Sequence, residues 1–482
     1  MRRLKFEPPM TPKGADRASS PRLPQDFETA AKQARFVRDA LPPGGLFAGL
    51  DWRISPAPFP LDAELAKEIE SLGRVLLQFY RAVNLLYRKS VEGKQPEWVA
   101  RWLDLGKPAE LIALQRSPAF KNDVPRVIRP DILLTEQGIS ITELDSVPGG
   151  IGLTAWLGKT YSILSEGGVP RRPNQDGGSQ ISPLRNNDII GGADGMLRGF
   201  ESIFGDAKQV HIVVSEEAAT YRPEMAWLFE ELGSRFTVHD SRFNDFSDGD
   251  AVYRFFELFD LANVPNSKRI FELAGEKRIR LTPPPKPVFE EKMLFALLWN
   301  RNLQDFWRQE LGEAFFNRLR KLIPYTWIVD PTPLPPQAVV PELNLTDWQQ
   351  LKTLSQKERE LILKVSGFSE HAWGARGVFL GSDLSHEDWA KAVDDAIQHF
   401  SQSPCVLQRY HKPALVETGW FDFEKNEVVP MKGRARLCPY YFVTGEGDNL
   451  RPTLGGVLAT IVPADKKIVH GMSDAVLAPC SV

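Results

Sequence analysis

Four charged residues in the segment RVIRPDILLTEQGISITELDSV could bind a metal ion. The segment alternates polar and apolar residues on either side of the tripeptide EQG, which predicts a β-hairpin. A turn centred on Gln137 places Asp131 opposite Glu143. The same register places Arg129 opposite Asp145, so all four side chains share one face. Three carboxylates this close call for a cation, and oxygen ligands suit Mg²⁺. The alternative is a solvated hairpin face with an ordinary ion pair.

A second region, ELILKVSGFSEHAWGARGVFLGS, could bind phosphate groups. Its apolar run places Lys364 on a strand, and a second β run begins at Val378. The loop between them contains Ser366, Gly367, Gly374, Arg376 and Gly377. Backbone N–H groups of such a loop can cover phosphates while a strand lysine pairs with their charge, and Arg376 adds a second cation. The alternative is a surface hairpin loop with a solvated lysine.

Two further strands carry polar residues at alternate positions. In CVLQRYHKP, Gln408 and Tyr410 alternate with apolar residues, which is typical of a segment that pairs with an adenine edge at a hinge. In MKGRARLCPYYFV, Lys432, Arg434 and Arg436 share one strand face, which favours phosphate or carboxylate recognition. The alternative is an exposed sheet edge protected by basic residues.

The segment SVPGGIGLTAWLGKT matches two nucleotide motifs incompletely. Gly150, Gly152 and Ala155 fit a relaxed GxGxxG/A pattern, but no strand ending in an acid follows about 20 residues later. A P-loop would need glycine at position 153, which is Leu153. A glycine-rich turn before a helix remains the simplest interpretation, with an NAD-dependent enzyme as an alternative.

Helices and strands must position these residues. Apolar residues at three- and four-residue steps predict a long amphipathic helix over 62–88, and a shorter one is expected over 97–105. The composition of 167–187 predicts a linker, and strands alternating with helices over 191–282 predict a βαβ unit with a parallel sheet. The segment 290–323 is expected to be helical throughout.

Composition excludes several classes of protein. The 482 residues are 42% hydrophobic and 25% charged with a net charge of −3, so neither a disordered chain nor a nucleic-acid or membrane partner is indicated. Only three cysteines occur, none with zinc-ligand spacing. Without an apolar leader or a long apolar run, the expected location is cytoplasmic.

Together these segments resemble the ATP-grasp superfamily, in the circularly permuted arrangement of the glutathionylspermidine synthase-like ligases. In that group, Arg-x-Asp on one strand is followed twelve residues later by Glu-x-Asn, and the carboxylates hold Mg²⁺. Arg129-Pro130-Asp131 and Glu143-Leu144-Asp145 match with the same interval, although Asp145 replaces the Asn. KVSGFSEHAWGARGV is similar to the family's phosphate loop, and VLQRY to its adenine hinge. The order of the motifs, with the metal signature before the lysine, suggests the permutation.

The resemblance implies an α/β (α+β) fold of ATP-grasp type in permuted order, with a preATP-grasp-like βαβ domain and an N-terminal helical segment. The expected divisions are a disordered tail (1–25), helices plus the metal-binding hairpin (26–190), the preATP-grasp-like domain (191–290) and the ATP-binding part (291–482).

It also implies an ATP- and Mg²⁺-dependent ligase that joins a small-molecule carboxylate to an amine through an acyl phosphate. Asp131, Glu143 and Asp145 would hold Mg²⁺, and Arg129 and Arg376 would be catalytic. The residues expected to bind ATP are Lys364, Ser366, Gly367, Gly374, Gly377, Gln408, Tyr410, Lys432 and Arg434. The alternative is a catalytically inactive nucleotide-binding or scaffold protein with the same fold.

Overall fold

The structure is a computed structural model that describes residues 27–165, 188–372, 376–469 and 473–482. The predicted tail (1–25), the predicted linker (167–187) and Gly374 lie outside the described residues. No helix in the described part of the chain has the length and apolar character needed to cross a membrane.

The described residues form both helices and strands, and the last part of the chain is mainly strands. The helices are α1 Phe27–Asp39, α2 Gly45–Ala48, α3 Ala63–Val91, α4 Glu97–Asp104, α5 Ala109–Arg116, α6 Ile151–Ser165, α7 Gly195–Ser202, α8 Arg222–Leu232, α9 Ser267–Gly275, α10 Met293–Trp299, α11 Gln304–Leu322 and α12 His386–Gln398. The strands are β1 Arg53–Ile54, β2 Phe59–Pro60, β3 Val127–Thr135, β4 Gly138–Asp145, β5 Val210–Val214, β6 Phe236–Asp240, β7 Ala251–Phe255, β8 Arg280–Thr282, β9 Thr326–Ile328, β10 Leu361–Val365, β11 Val378–Leu380, β12 Cys405–Arg409, β13 Leu415–Asp422, β14 Glu427–Thr444, β15 Arg451–Pro463 and β16 Val476–Ser481.

The strands form three sheets. A large sheet runs in the order β1-β16-β15-β14-β3-β4, with β13 paired to β14 and β2 to β16. A four-stranded parallel sheet has the order β6-β5-β7-β8, which confirms the predicted βαβ unit with its crossover helix α8. A small antiparallel sheet has the order β11-β10-β12-β9 and carries the predicted lysine strand.

The two helices predicted near the N-terminus are confirmed. α3 begins after Asp62, whose carboxylate accepts a hydrogen bond from the Leu65 backbone N–H at 2.7 Å and so caps the helix. The buried residues of α3 follow the predicted apolar stripe, and α4 occupies nearly the whole of its predicted range.

The continuous helix expected over 290–323 is wrong. α10 ends at Trp299, and the Asn300 side chain caps a short 3₁₀ turn before α11. Within α11, Gly312 has φ 70° and ψ 158°, which interrupts the helical backbone. Glycine adopts positive φ without steric cost, so the chain turns there although its apolar pattern continues.

The large sheet is buried on both faces. On one face, Ile128 and Leu437 pack in a core that includes residues of α3, α10 and α11. On the other, Val127 and Cys438 pack with residues of α6, α7 and the parallel sheet. The hairpin formed by β3 and β4 therefore lies inside the molecule, between layers, where its charged residues need partners from the protein.

Candidate functional site

The predicted charge pairs of the hairpin are confirmed. Asp131 pairs with Glu143, and Arg129 with Asp145. The turn itself is one residue tighter than a turn centred on Gln137, because Thr135 pairs with Gly138. A β-bulge beside Asp131 adds one residue to β4 and restores the predicted register at the charged end.

Arginines hold two of the three hairpin carboxylates. Arg129 contacts Asp131 at 3.2 Å and Asp145 at 2.9 Å, and Arg436 of β14 reaches the other Asp131 oxygen at 3.0 Å. The Cys438 thiol lies 3.6 Å from Asp131, which is buried. The solvated hairpin face considered above is therefore wrong, and both oxygens of Asp131 are engaged by guanidinium groups.

Lysines from other segments lie beside Glu143. Lys292, just before α10, contacts the Glu143 carboxylate at 2.9 Å. Burial opposes ionisation of Glu143, but the charges of Lys292 and Lys364 outweigh it and lower the pKa of Glu143. Burial raises the pKa of Asp145, although Arg129 acts in the opposite direction.

Lys364 is buried in the small antiparallel sheet. Its ammonium donates hydrogen bonds to the Thr142 carbonyl oxygen at 3.0 Å and to Gln408 Oε1 at 2.9 Å. Burial lowers the pKa of Lys364 to about 8. The solvated-lysine alternative is wrong, and the predicted Lys364 and Gln408 are brought together at the edge of β4.

A cavity of about 400 Å³ joins these groups. Charged and polar residues on its wall include Arg129, Asp131, Glu143, Asp145, Tyr221, Glu257, Lys292, Lys364, Tyr410, Arg436, Tyr440 and Lys467. Its apolar wall includes Leu46, Leu133, Phe255, Phe256, Val378 and Leu477. The cavity can accommodate a ligand with both a charged and an apolar part.

A smaller cavity of about 60 Å³ adjoins it. Five carboxyl groups and one ammonium line this space: Glu143, Asp145, Glu257, Glu290, Glu291 and Lys292. Arg254 contacts Glu290 at 2.5 Å, and Lys107 contacts Glu291 at 2.5 Å with both side chains fully buried. Burial, followed by the charges of Glu290 and Asp145, raises the pKa of Glu257 well above its usual range.

The predicted phosphate loop starts at this smaller cavity. Ser366 donates a hydrogen bond to Glu291, and Gly367 lines the cavity. A Cβ at Gly367 would lie 2.8 Å from the Glu290 carbonyl oxygen, so only glycine fits there. Gly377 accepts a backbone hydrogen bond from Val365 at 3.0 Å.

Three predicted cations and one tyrosine have other contacts. Arg376 forms an ion pair with Glu217, Arg434 donates to the carbonyl oxygens of Pro413 and Ala464, and Lys432 lies 3.9 Å from Glu417. None of these three is among the residues that line the cavities described above. Tyr410 does line the larger cavity, and its hydroxyl donates to the Lys467 carbonyl oxygen at 3.2 Å.

The glycine-rich turn before α6 is occupied by a carboxylate of the protein. Glu224 of α8 accepts hydrogen bonds from the backbone N–H groups of Gly150 at 2.8 Å and Leu153 at 2.9 Å. A Cβ at Gly152 would lie 2.4 Å from the Glu224 carbonyl oxygen. Packing against α8 thus accounts for this glycine, and the N–H groups that a dinucleotide pyrophosphate would use are already engaged.

Sequence reasoning missed Glu257, Glu290, Glu291 and Lys292. Glu257 follows the buried parallel strand β7, and ligands of parallel sheets collect at the carboxyl ends of strands, which was a usable signal. The run Glu290-Glu291-Lys292 lies between a proline-rich breaker and an apolar helix, and nothing local distinguishes it from a solvated turn.

Within the described residues, no three His, Cys, Asp or Glu side chains are grouped so that they could hold a metal ion by themselves. Any metal here would need further oxygen ligands from a substrate or from water.

Comparison with solved structures identifies the class of fold. A glutathione synthetase-like effector from Globodera pallida, solved in apo form, aligns with a TM-score of 0.56 over 96% of this chain and 99% of that chain, at 11% identity. The chain therefore shares the fold of this glutathione synthetase-like effector. The likeness does not extend to the glutathionylspermidine synthase-like arrangement, which stays a prediction.

A second solved structure is described as a putative γ-glutamylcysteine synthetase from Methylobacillus flagellatus. It aligns with a TM-score of 0.36 over 84% of this chain and 88% of that chain, at 10% identity, which is too low to establish a common fold. No protein-family model and no curated protein matches the chain.

Proposed function

We propose that this protein is an ATP- and Mg²⁺-dependent carboxylate–amine ligase that forms an amide or peptide bond. The observation that carries the proposal is the meeting of two buried ammonium groups, Lys292 and Lys364, with Glu143 and Asp145 around one cavity. Buried ammonium groups beside carboxylates suit a phosphate chain with a hard metal ion. The glutathione synthetase-like fold adds support at the level of fold only.

The reaction would proceed in two displacements. A carboxylate oxygen attacks the terminal phosphorus of ATP, and ADP leaves. Once the substrate ammonium has lost one proton, its neutral nitrogen attacks the acyl carbon, phosphate leaves and the nitrogen loses a second proton. Catalysis of this kind depends mainly on positioning and on charge neutralisation, for which the buried cations are suited.

Glu143 and Asp145 would hold Mg²⁺. The ion is commonly bound in proteins by one or two carboxylates together with phosphate oxygens and water, so two ligands from this chain suffice. The chemistry that Mg²⁺ would supply when held there is neutralisation of the negative charge of the phosphate chain. Asp131, the third predicted ligand, would instead hold Arg129 and Arg436 through the contacts described above.

Lys292 and Lys364 would bind the phosphates, with Gln408 hydrogen-bonded to Lys364 and Tyr410 farther along the cavity wall. Arg129 and Arg436 would face the acyl group, where loss of one donor to a developing oxyanion typically costs about 10²–10³ in rate. The permuted order of the two halves, with the hairpin before the lysine strand, belongs to the same proposal.

The experiment is Mg²⁺-dependent ADP release by the purified full-length chain, with pooled carboxylates and amines. ADP release that requires Mg²⁺ and both pools supports the ligase. Failure of a non-hydrolysable ATP analogue to bind, measured by calorimetry, would contradict it.

A second candidate is nucleotide binding without turnover. It is favoured by the two arginines that already engage both oxygens of Asp131. The neighbour from Globodera pallida is named as an effector, which allows the same fold to serve a role other than synthesis. Binding of the ATP analogue with no ADP release under any substrate pool would select this candidate.

A further inference from the structure

We infer that the smaller cavity is the binding site for the ammonium group of the amine substrate, and that this amine has an apolar body and no carboxylate next to its nitrogen. The inference rests on the proposed function and adds the class of amine to it. Its evidence is the charge state of the cavity wall and an unsatisfied buried hydroxyl.

Four of the five carboxyl groups on the wall already have cations. The ion pairs are Lys292 with Glu143, Arg129 with Asp145, Arg254 with Glu290 and Lys107 with Glu291. Among the described residues, no lysine, arginine or histidine forms an ion pair with Glu257. The largest effect of a charged group on Glu257 comes from the carboxyl group of Glu290, to which its side chain is also hydrogen-bonded.

A half-buried carboxylate beside another carboxylate is unfavourable until a cation reaches it. Glu257 is thus the carboxyl group of this wall with which no cation of the described residues pairs, and burial beside Glu290 favours its protonated form. An ammonium ligand would supply the cation that it lacks.

Ser146 gives an independent indication of a ligand. It is 1% exposed and lines the smaller cavity, and its hydroxyl has no hydrogen-bond partner among the described residues. Buried hydroxyls are nearly always hydrogen-bonded, so an unsatisfied one on a cavity wall indicates a missing polar group. An ammonium has three N–H donors and can use Ser146 and Glu257 together.

The dimensions and surroundings of the cavity restrict the amine. About 60 Å³ has room for an ammonium head group and little more. Glu143, Asp145, Glu257 and Lys292 line both cavities, so the rest of the ligand would extend into the larger one, past Phe255 and Phe256. A carboxylate beside the nitrogen would lie among five carboxyl groups and be repelled, which selects against an α-amino acid.

The test is a calorimetric titration of the full-length chain with n-pentylamine and with L-norleucine, which differ only by the α-carboxylate. Both are titrated with the non-hydrolysable ATP analogue and Mg²⁺ present, and again without nucleotide. We expect n-pentylamine to bind at least tenfold more tightly than L-norleucine. Glu257→Gln is expected to weaken n-pentylamine at least tenfold, the scale of a lost charged hydrogen bond, and Ser146→Ala about threefold to tenfold.

The matched control is Glu272→Gln, an exposed carboxylate on α9, which is expected to leave n-pentylamine affinity unchanged. Equal affinities for the two ligands, or an unchanged affinity in Glu257→Gln, would overturn the inference. A third result would also overturn the inference: Mg²⁺ binds without nucleotide and no longer binds to Glu257→Gln, while n-pentylamine does not bind. The cavity would then be a metal site. If the ATP analogue binds but n-pentylamine does not, only this inference fails. If the analogue does not bind, the ligase proposal fails, and the titration without nucleotide still shows whether the cavity binds n-pentylamine.

Discussion

Two groups of buried charges meet at the candidate site, and they are assembled differently. The sheet cluster, formed by Arg129, Asp131, Asp145 and Arg436, lies on three adjacent strands. The cavity cluster consists of Lys107, Arg254, Glu257, Glu290 and Glu291, and its two ion pairs join residues 184 and 36 positions apart in the chain.

The two clusters differ in whether every carboxylate is paired with a cation. Each carboxylate of the sheet cluster meets a guanidinium group on its own or a neighbouring strand, because strand pairing aligns them. The cavity cluster leaves Glu257 beside Glu290 without a cation of its own among the described residues. Pairing of adjacent strands thus produces a finished network, whereas the packing of segments that are not paired as strands produces one that is open to a ligand.

The largest expected effect belongs to Glu143, which lines the cavity between the two clusters. Glu143→Gln removes one charge from the proposed metal ligands without changing side-chain volume, so Mg²⁺-dependent ADP release should fall by roughly 10²–10³ or more. Measurement of ADP release beside a thermal melt separates lost chemistry from lost folding. The control is Glu136→Gln, which changes an exposed residue in the turn of the same hairpin and should leave ADP release unchanged. Unchanged ADP release in Glu143→Gln would contradict the assignment of Glu143 as a metal ligand.

A stability experiment compares the clusters directly. Arg254→Met leaves Glu290 buried beside Glu257 with no cation, and we expect the free energy of unfolding to fall by about 3–5 kcal/mol. Arg129→Met should cost less, because Arg436 still contacts Asp131 and because the Asp145 side chain, which loses its cation, is 25% exposed. Urea unfolding of both variants gives the two values.

Adding Glu290→Gln to Arg254→Met should recover part of the loss, since it removes the unpaired charge. An equal loss for Arg254→Met and Arg129→Met would mean that the two clusters do not differ in the way described.

Glu224 extends the comparison to pH. Burial raises its pKa from 4.5 to about 7, despite the hydrogen bonds from the α6 N-terminus. Because the folded state then binds the proton more tightly than the unfolded state, the free energy of unfolding should fall as pH rises from about 4.5 to about 7. Glu224→Gln should remove about 2–3 kcal/mol of that decrease. Urea unfolding at pH 5 and pH 8 checks this, and identical pH profiles for parent and variant would contradict it.

The smallest effect is expected for nucleotide affinity. Lys364→Ala should weaken binding of a non-hydrolysable ATP analogue by about 1–3 kcal/mol, the scale of a lost charge-assisted hydrogen bond. Lys432→Ala, an exposed lysine outside the cavities, serves as the matched control in the same calorimetric titration. If both variants bind like the parent, Lys364 has a structural role, through Thr142 and Gln408, and no role in the nucleotide site.

Much of the local structure could be predicted from the amino-acid sequence. Apolar residues that recur with a period of 3.6 or 2 predict three features: the apolar stripe of α3, the parallel βαβ unit, and the pairing of Asp131 with Glu143. The break at Gly312 could not, because the apolar pattern continues through it and only the packed structure shows the backbone turning.

Sequence by itself also determined which strands carry the charges of the site: Arg129, Asp131, Glu143 and Asp145 on one hairpin, and Lys364 on a separate strand. Only the packed structure shows that Lys292 neutralises Glu143, that Glu224 fills the turn before α6, and that no cation among the described residues pairs with Glu257. The physical reason is the separation along the chain between the residues that interact. Strand and helix periodicity relates residues a few positions apart, whereas the charge of a buried carboxylate depends on whichever distant segment packs against it and excludes water.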